Sequence, residues 1–200
     1  MNVHEVAAGV WVAYRPATRP ARPPAQDVVQ AARRPRARAR EFLAGRALLR
    51  DLLRATGAAG ADLPVVAGEN GKPRLAGAPS VGITISHDGG HVAAAVAVDR
   101  EVGVDLQMPP RHVSTAMIRR CAPRDAHALM ALPPAALGWE FAWIWTAQEA
   151  CVKADGSGVG GRPWTVDVPL GTASGGWRGT SWRCLRLQAP YPISCAWRMT

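Results

Sequence analysis

The middle of the sequence holds three apolar runs that follow one another with very short connections. The runs span Val81–Ser86, His91–Val98 and Val102–Leu106, and only residues 87–90 and 99–101 lie between them. Such runs predict β-strands, and connections this short favour antiparallel neighbours because a parallel crossover needs a dozen or more residues. This stretch is therefore expected to form the centre of a small antiparallel sheet.

Helix and strand patterns lie on both sides of these runs. In chain order they are a strand at Val10–Tyr14, a helix at Asp27–Ala55 broken near Pro35, a helical stretch at Val113–Leu132 broken at Pro123, a helix at Glu140–Ala154 followed by glycines, and two or three strands after Trp164. We expect an α+β protein with an N-terminal lobe over residues 1–101 and a C-terminal lobe over residues 102–200, packed across a cleft.

Arginine dominates the charge of the chain. The 200 residues contain 24 Lys and Arg against 15 Asp and Glu, which gives a formal net charge of +9. A guanidinium binds phosphate and carboxylate groups through two parallel hydrogen bonds, so an anionic partner is expected. Net charge alone leaves nucleic acid, a phosphorylated cofactor and an acidic protein open as that partner.

The sequence carries no signal for a membrane or for secretion. No apolar run approaches the roughly 20 residues of a membrane span, and the N-terminus lacks the order of a signal peptide. A soluble, cytoplasmic protein is therefore expected. Four cysteines match no metal-binding spacing and are interpreted as reduced core residues: Cys121, Cys151, Cys184 and Cys195.

Three side chains of the second long helix recur at four-residue steps. Trp145, Glu149 and Lys153 therefore project from one helical face, although a surface Glu–Lys pair is the common alternative. Asp105 ends an otherwise apolar strand, where a carboxylate caps a turn, reaches the rim or is paired. Because Mg²⁺ often takes one or two carboxylates plus substrate phosphate and water, Asp105 and Glu149 form a candidate metal site if the fold brings them together.

A second row of charges lies on the first long helix. Arg46, Arg50 and Arg54 recur at four-residue steps, a spacing at which like charges repel. Either an anion compensates this repulsion, or the arginines form a solvated face. Gly45 in the helix interior favours the close approach of another backbone or of a ligand.

Two turns add candidate phosphate ligands. Ser86 and His87 enter a Gly-rich turn that can present a hydroxyl, an imidazole and backbone amides to a phosphate. The segment Asn70–Lys72 precedes a proline and is interpreted first as a turn and second as a phosphate contact. Neither a G-x-S-x-G elbow nor a Walker phosphate loop occurs in the sequence.

Five segments, taken in order, resemble the surfactin-type 4′-phosphopantetheinyl transferases. They are FLAGRALLR (Phe42–Arg50), NGKPRL (Asn70–Leu75), ITISHDGGHVAAAVA (Ile83–Ala97), VGVDLQ (Val102–Gln107) and WTAQEACVKADGSGV (Trp145–Val159). The resemblance covers roughly residues 38–160. It implies two similar α+β lobes related by a pseudo-twofold axis, with coenzyme A bound between them. It also implies a monomeric enzyme that transfers the phosphopantetheine arm of coenzyme A to a serine of an acyl or peptidyl carrier protein.

The same resemblance implies roles for individual residues. Asp105 and Glu149 would hold Mg²⁺ on the coenzyme A diphosphate, Lys153 would contact these phosphates, and Glu149 would take the proton of the carrier serine. The residues implied to surround the adenine-side phosphates, including the 3′-phosphate, are Arg38, Arg46, Lys72, Ser86 and His87.

Two positions depart from the family pattern. Gln107 stands where a second acid is usual, and Gln148 replaces the lysine that usually precedes the helix glutamate. Gln107 can offer a carbonyl oxygen to the metal or hold a metal-bound water but supplies no charge, so weaker Mg²⁺ binding is expected. A pseudoenzyme that binds coenzyme A or a carrier protein is therefore one alternative, and a basic nucleic-acid-binding module is a second.

Carrier proteins are typically acidic, so the resemblance also gives the basic charge a protein partner. A segment that combines arginines with apolar residues is a candidate docking surface, and an amphipathic helix with its apolar side inward is the alternative. This segment contains Arg111, Val113, Met117, Ile118, Arg119, Arg120 and Arg124.

Overall fold

A computed structural model describes residues 1–18 and 20–199, so Thr200, the last residue of the predicted second lobe, lies outside the described residues. Within them, the strands of the first sheet are β1 (Asn2–Ala7), β2 (Val10–Pro16), β3 (Val65–Ala67), β4 (Pro73–Leu75), β5 (Val81–Asp88) and β6 (His91–Val98). Those of the second are β7 (Arg100–Leu106), β8 (Ser174–Trp177), β9 (Thr180–Cys184) and β10 (Ile193–Met199). Both sheets are antiparallel, with strand orders β1-β2-β6-β5-β4-β3 and β7-β10-β9-β8.

The helices are α1 (Ala25–Ala32), α2 (Arg36–Thr56), α3 (Thr115–Cys121), α4 (Ala126–Met130) and α5 (Pro134–Asp155). Proline precedes and glycine follows each of the two long helices, α2 and α5. Pro35 separates α1 from α2, as expected of a residue that cannot donate a helical hydrogen bond. Gly57 and Gly156 end α2 and α5 in the left-handed conformation. In the described part of the chain, no helix is both long and apolar enough to cross a bilayer.

The two sheets pack face to face between the two long helices. Small and β-branched side chains fill the space between the sheets: Val10, Val12, Ala93, Ala95, Ala97, Val102, Val104, Ile193 and Cys195. On the outer face of the first sheet, Leu48 and Leu52 of α2 pack against Val96. On the outer face of the second sheet, α5 packs against Trp182 and other core residues. The mixed helix-and-sheet architecture is confirmed, whereas the pseudo-twofold axis and the boundary at residue 101 stay predictions.

The chain changes sheets immediately after β6. The short connection predicted antiparallel pairing of β6 with β7, and that prediction is wrong, because β7 pairs with β10. Both edges of β6 are already taken by β2 and β5. Asp99, with φ 54° in the left-handed region, turns the chain, and its amide donates to the Ser80 carbonyl oxygen at 2.7 Å.

A row of polar side chains on β5 joins the first sheet to the edge of β7, and we call this row the β5–β7 seam. Alternate residues of β5 face β7, and their side-chain oxygens accept hydrogen bonds from backbone amides. The pairs are Thr84 Oγ1 with Val104 N (3.4 Å), Ser86 Oγ with Leu106 N (3.3 Å) and Asp88 Oδ2 with Met108 N (2.7 Å). At Gly82, a Cβ would lie 2.2 Å from the Arg100 carbonyl oxygen, so the approach requires glycine there.

The arginine row of α2 is buried at two of its three positions. Asp27 of α1 is fully buried; its Oδ2 accepts a hydrogen bond from Arg50 Nη1 at 2.6 Å, and its Oδ1 lies 4.0 Å from Arg46 Nε. Arg54 is exposed and pairs with Asp62. The solvated-face interpretation is therefore wrong for Arg46 and Arg50, because the protein itself supplies the compensating anion.

The four cysteines are free and buried, as predicted. Burial raises the pKa of the Cys121 thiol to about 11 and that of Cys151 to about 12. These thiols are therefore protonated near neutral pH and act as small apolar core residues.

Replacing Asp27 with alanine is expected to destabilise the protein by about 3 to 5 kcal/mol, because two buried guanidinium groups lose their shared carboxylate. The free energy of unfolding from urea titration measures this loss. Asp62→Ala is the matched control, since Asp62 pairs with Arg54 at the surface with 89% of its side chain exposed. Equal, small changes for both variants would contradict the importance of the buried cluster.

Candidate active site

A cavity of about 360 Å³ lies where β5, β7 and α5 meet. Its polar lining comes from three separate parts of the chain: Ser86, His87 and Asp88; Asp105 and Gln107; and Glu149 and Lys153. Trp145 adds an aromatic wall. The structure thus brings the strand aspartate together with the helical residues that share one face. The catalytic, cofactor-binding and metal-binding roles of these residues stay predictions.

Asp105 accepts several hydrogen bonds within this cavity. Its Oδ1 accepts from Lys153 Nζ at 2.6 Å and from Ser86 Oγ at 2.8 Å. Lys153 Nζ also donates to the Val104 carbonyl oxygen at 3.1 Å. Only 7% of Asp105 is exposed, so its carboxylate is paired rather than turned to solvent. The β5–β7 seam fixes this arrangement, because the same Ser86 hydroxyl accepts the Leu106 amide.

Glu149 lines the cavity one helical turn before Lys153. Burial raises the pKa of the Glu149 carboxyl, and the charge of Asp105 raises it further, whereas Lys153 acts in the opposite direction. The two carboxylates therefore repel each other across the cavity. The surface-pair interpretation of Glu149 and Lys153 does not apply, because both line the cavity and Lys153 pairs with Asp105.

The oxygen atoms at and near Asp105 are suitable ligands for a hard divalent cation. Asp105 and Glu149 offer carboxylate oxygens, Gln107 offers an amide oxygen, and all three line the cavity. Across residues 1–18 and 20–199, no group of three or more His, Cys, Asp or Glu is arranged to hold a metal ion. A cation held here would therefore need further oxygens from water or phosphate, as Mg²⁺ commonly does. Its charge would also relieve the repulsion that raises the pKa of Glu149.

His87 and Arg38 form a basic pair beside the cavity. His87 Nδ1 lies 3.2 Å from Nη1 of Arg38, an exposed residue in the first turn of α2. Glu41 Oε2 lies 3.2 Å from Arg38 Nη1 and 3.3 Å from His87 Nδ1. Burial lowers the pKa of His87, although Glu41 acts to raise it. The sequence interpretation missed Glu41, for which the three-residue spacing from Arg38 is the available signal.

Lys72 lines a second cavity, of about 220 Å³, that shares Ile85 and Lys153 with the first. Its Nζ donates to the Ala154 carbonyl oxygen at 2.8 Å and pairs with Glu101. Burial lowers the pKa of the Lys72 ammonium, while Glu101 opposes that effect. Lys72 thus lies close to the C-terminal end of α5, which carries Lys153, although Lys72 and this helix are far apart in the sequence.

Arg46 does not line either of these cavities. Its guanidinium packs over the ring of Phe42, 5.0 Å from the centroid, and faces Asp27. Burial lowers the pKa of Arg46 to about 10. Neighbouring Gly45 faces Ile85, because a Cβ on Gly45 would lie 2.7 Å from Ile85 Cγ2. The close approach at Gly45 is therefore made by a side chain of β5, and Arg46 is not brought together with His87 and Lys72.

Gln148 points into the C-terminal half rather than into the cavity. It is fully buried, and its Nε2 donates to the carbonyl oxygens of Cys121 at 2.7 Å and Val166 at 2.9 Å. These bonds tie α5 to the end of α3 and to a following loop. The difference from the family pattern at Gln148 therefore concerns packing, and it gives no reason to expect that Glu149 has lost its proposed role.

The predicted docking segment exposes few of its apolar residues. Ile118 is only 2% exposed and belongs to the core of the C-terminal half, which agrees with an ordinary amphipathic helix. Met117 remains partly exposed, and Arg120 lies 3.6 Å from the ring centroid of Trp164. Docking of a carrier protein on this segment stays a prediction.

Two family models match the chain, one in each half. Residues 24–97 match the 4′-phosphopantetheinyl transferase N-terminal domain, and residues 101–194 match the 4′-phosphopantetheinyl transferase superfamily. Together they cover most of the chain. The protein therefore belongs to the 4′-phosphopantetheinyl transferase superfamily.

Curated relatives carry the same family name. The putative 4′-phosphopantetheinyl transferase of Synechocystis sp. is 33% identical over 98 residues, covering 47% of this chain and 40% of that protein. The 4′-phosphopantetheinyl transferase AcpT of Escherichia coli O157:H7 is 32% identical over 132 residues, covering 64% of this chain and 62% of that protein. The aligned regions thus span less than two thirds of the length of either relative.

Asp105→Asn is expected to lower the pKa of Glu149, because the substitution removes a negative charge that raises it. Carboxyl ¹³C chemical shifts followed by NMR during a pH titration in metal-free buffer would measure the change. Asp125→Asn, which alters a carboxylate outside the cavity, is the control. An unchanged Glu149 titration in Asp105→Asn would show that the two carboxylates do not interact.

Proposed function

We propose that this protein transfers the 4′-phosphopantetheine arm of coenzyme A to a serine of an acyl or peptidyl carrier protein. The observation that carries the proposal is one cavity lined by Asp105, Glu149 and Lys153, in a chain whose two halves match phosphopantetheinyl transferase domains. The products are the holo carrier protein and 3′,5′-adenosine diphosphate. We further propose the surfactin-type subfamily, on the strength of the five ordered motifs.

Coenzyme A would bind through the basic groups around the two adjoining cavities. Lys153 lines both of them, Lys72 lines one, and Arg38 lies against His87 of the other. Guanidinium and ammonium groups neutralise phosphate charge and donate hydrogen bonds to phosphate oxygens. Ser86 adds a hydroxyl next to Lys153. A role for Arg46 would require it to leave its contact with Asp27.

Glu149 is the proposed general base. A serine hydroxyl is a weak nucleophile at neutral pH, so its proton must be taken as the oxygen attacks the β-phosphorus of coenzyme A. Glu149 lines the same cavity as Asp105 and Lys153, so its carboxylate is placed to take that proton directly or through water. As the serine oxygen bonds to the β-phosphorus, the bond from that phosphorus to the bridging oxygen breaks. 3′,5′-Adenosine diphosphate then leaves with the electron pair, and Lys153 neutralises charge on the diphosphate.

Mg²⁺ is the proposed metal, held by Asp105 and Glu149 with Gln107 in contact directly or through water. When bound, it supplies charge neutralisation at the diphosphate. Ser86 and Lys153 orient Asp105 through hydrogen bonds, and Trp145 lines one side of the cavity. We also propose a cytoplasmic monomer whose positive charge steers an acidic carrier protein toward it.

Two alternatives predict different outcomes with the same reagents. A nucleic-acid-binding module would use the arginine row of α2, but Arg46 and Arg50 are buried against Asp27 and cannot track a phosphate backbone. A pseudoenzyme would bind coenzyme A without reaction. Incubating an apo carrier protein with coenzyme A, Mg²⁺ and this protein distinguishes the transferase from both alternatives, since mass spectrometry detects the added phosphopantetheine arm for the transferase alone.

Glu149→Gln is expected to lower the transfer rate by at least about 100-fold, because it removes the base and a charged metal ligand. The mass-spectrometric assay measures the rate, and circular dichroism checks that the variant is folded. Glu69→Gln alters an exposed glutamate outside both cavities and should keep wild-type activity. Substantial activity of Glu149→Gln would remove Glu149 from both roles.

Gln107→Glu is expected to lower the Mg²⁺ concentration that gives half-maximal activity, because a carboxylate replaces a neutral amide at the cavity. A Mg²⁺ titration of the transfer rate measures this shift. Gln26→Glu adds the same charge on α1 and should leave the titration unchanged. If Gln107→Glu also left it unchanged, residue 107 would not face the ion.

A further inference from the structure

One carboxylate of α2 contacts both basic groups beside the cavity. Glu41 lies one turn after Arg38, and its side chain is 13% exposed. Its Oε2 accepts a hydrogen bond from Arg38 Nη1 at 3.2 Å and lies 3.3 Å from His87 Nδ1. The two nitrogens are themselves 3.2 Å apart. A single oxygen therefore lies within reach of a guanidinium and an imidazole that belong to different elements.

We propose that Glu41 is a positioning residue that holds Arg38 against His87 and thereby fixes the orientation of the imidazole ring, so that both groups face one phosphate of coenzyme A. This inference rests on the proposed function for the identity of the ligand. Glu41 itself contacts neither the substrate nor the reacting atoms, and it acts through the two basic side chains.

The tautomer follows from the donors and acceptors around His87 Nδ1. The Arg38 guanidinium only donates hydrogen bonds, so its Nη1, 3.2 Å from His87 Nδ1, requires an unprotonated Nδ1 as the acceptor. The neutral ring then carries its proton on Nε2, which remains available as a donor. Glu41 Oε2 accepts from the same Arg38 Nη1, so the carboxylate holds the guanidinium in position to donate to the ring.

The charge of Glu41 is needed as much as its oxygen. Arg38 and Lys153 both disfavour a proton on His87, and Glu41 is the carboxylate that favours it. The other acidic residues that line the cavity with His87 are Asp88, Asp105 and Glu149, and none of them is among the groups that shift the pKa of His87. Arg38 has 61% of its side chain exposed, so without Glu41 the guanidinium would be free to move into solvent. Ordering this arginine before the ligand arrives reduces the entropy lost on binding.

Two substitutions separate the contributions of the oxygen and the charge. Glu41→Met removes both, whereas Glu41→Gln keeps an acceptor oxygen without the charge. In ¹⁵N NMR spectra recorded without coenzyme A, the Nδ1 signal of wild-type His87 should be that of an unprotonated nitrogen that accepts a hydrogen bond from Arg38. The Met variant should lose this hydrogen bond and the Gln variant should retain it. The pKa of His87 should fall in both variants, because the carboxylate that raises it is gone.

Kinetics provide the second readout. Losing the ordered pair should raise KM for coenzyme A by about tenfold in Glu41→Met, with kcat little changed and partial rescue in Glu41→Gln. Glu69→Met is the matched control and should behave as wild type. A folded Glu41→Met variant with wild-type KM and wild-type ¹⁵N signals of His87 would overturn the inference. If the His87 signals change as expected but even the wild-type protein transfers nothing, the positioning role stands and the proposed function fails.

Discussion

The hydrogen bonds of the β5–β7 seam are the interaction on which the site depends. Side-chain oxygens at alternate positions of β5 accept hydrogen bonds from amides along the edge of β7 that faces away from β10. This contact sets Ser86 opposite Leu106 and therefore beside Asp105. A shift of one residue along either strand would turn the hydroxyl away from the carboxylate, because strand side chains alternate between faces.

Two carboxylates in different surroundings set the electrostatics of the cavity beside the β5–β7 seam. Asp105 is held by an ammonium and a hydroxyl, while Glu149 remains half-buried near that negative charge. The pairing compensates the charge of Asp105 in a poorly solvated place, and this charge adds to burial in raising the pKa of Glu149. The two carboxylates thus differ in environment and suit different roles, although each is an ordinary acid in the sequence.

Local patterns predicted much of this structure. Four-residue spacing placed Trp145, Glu149 and Lys153 on one face of α5, and all three line the cavity. The patterns did not predict which strands pair, because the occupied edges of β6 become visible only when the first sheet is assembled. The same limit applies to Arg46 and Gln148, whose partners come from other elements. Glu41 was missed because residue 87 meets it only in the fold.

The turn around Lys72 has a consequence for how the helix that carries Lys153 is anchored. Lys72 and Asn70 donate to the carbonyl oxygens of Ala154 and Gly156, which lie at the C-terminal end of α5. Helix ends normally leave such carbonyls to solvent or to local caps. Here two side chains of the N-terminal half donate to them, so fraying of this end breaks hydrogen bonds between the halves. The proposed phosphate ligand Lys153 is therefore held rigid only while the two halves stay docked.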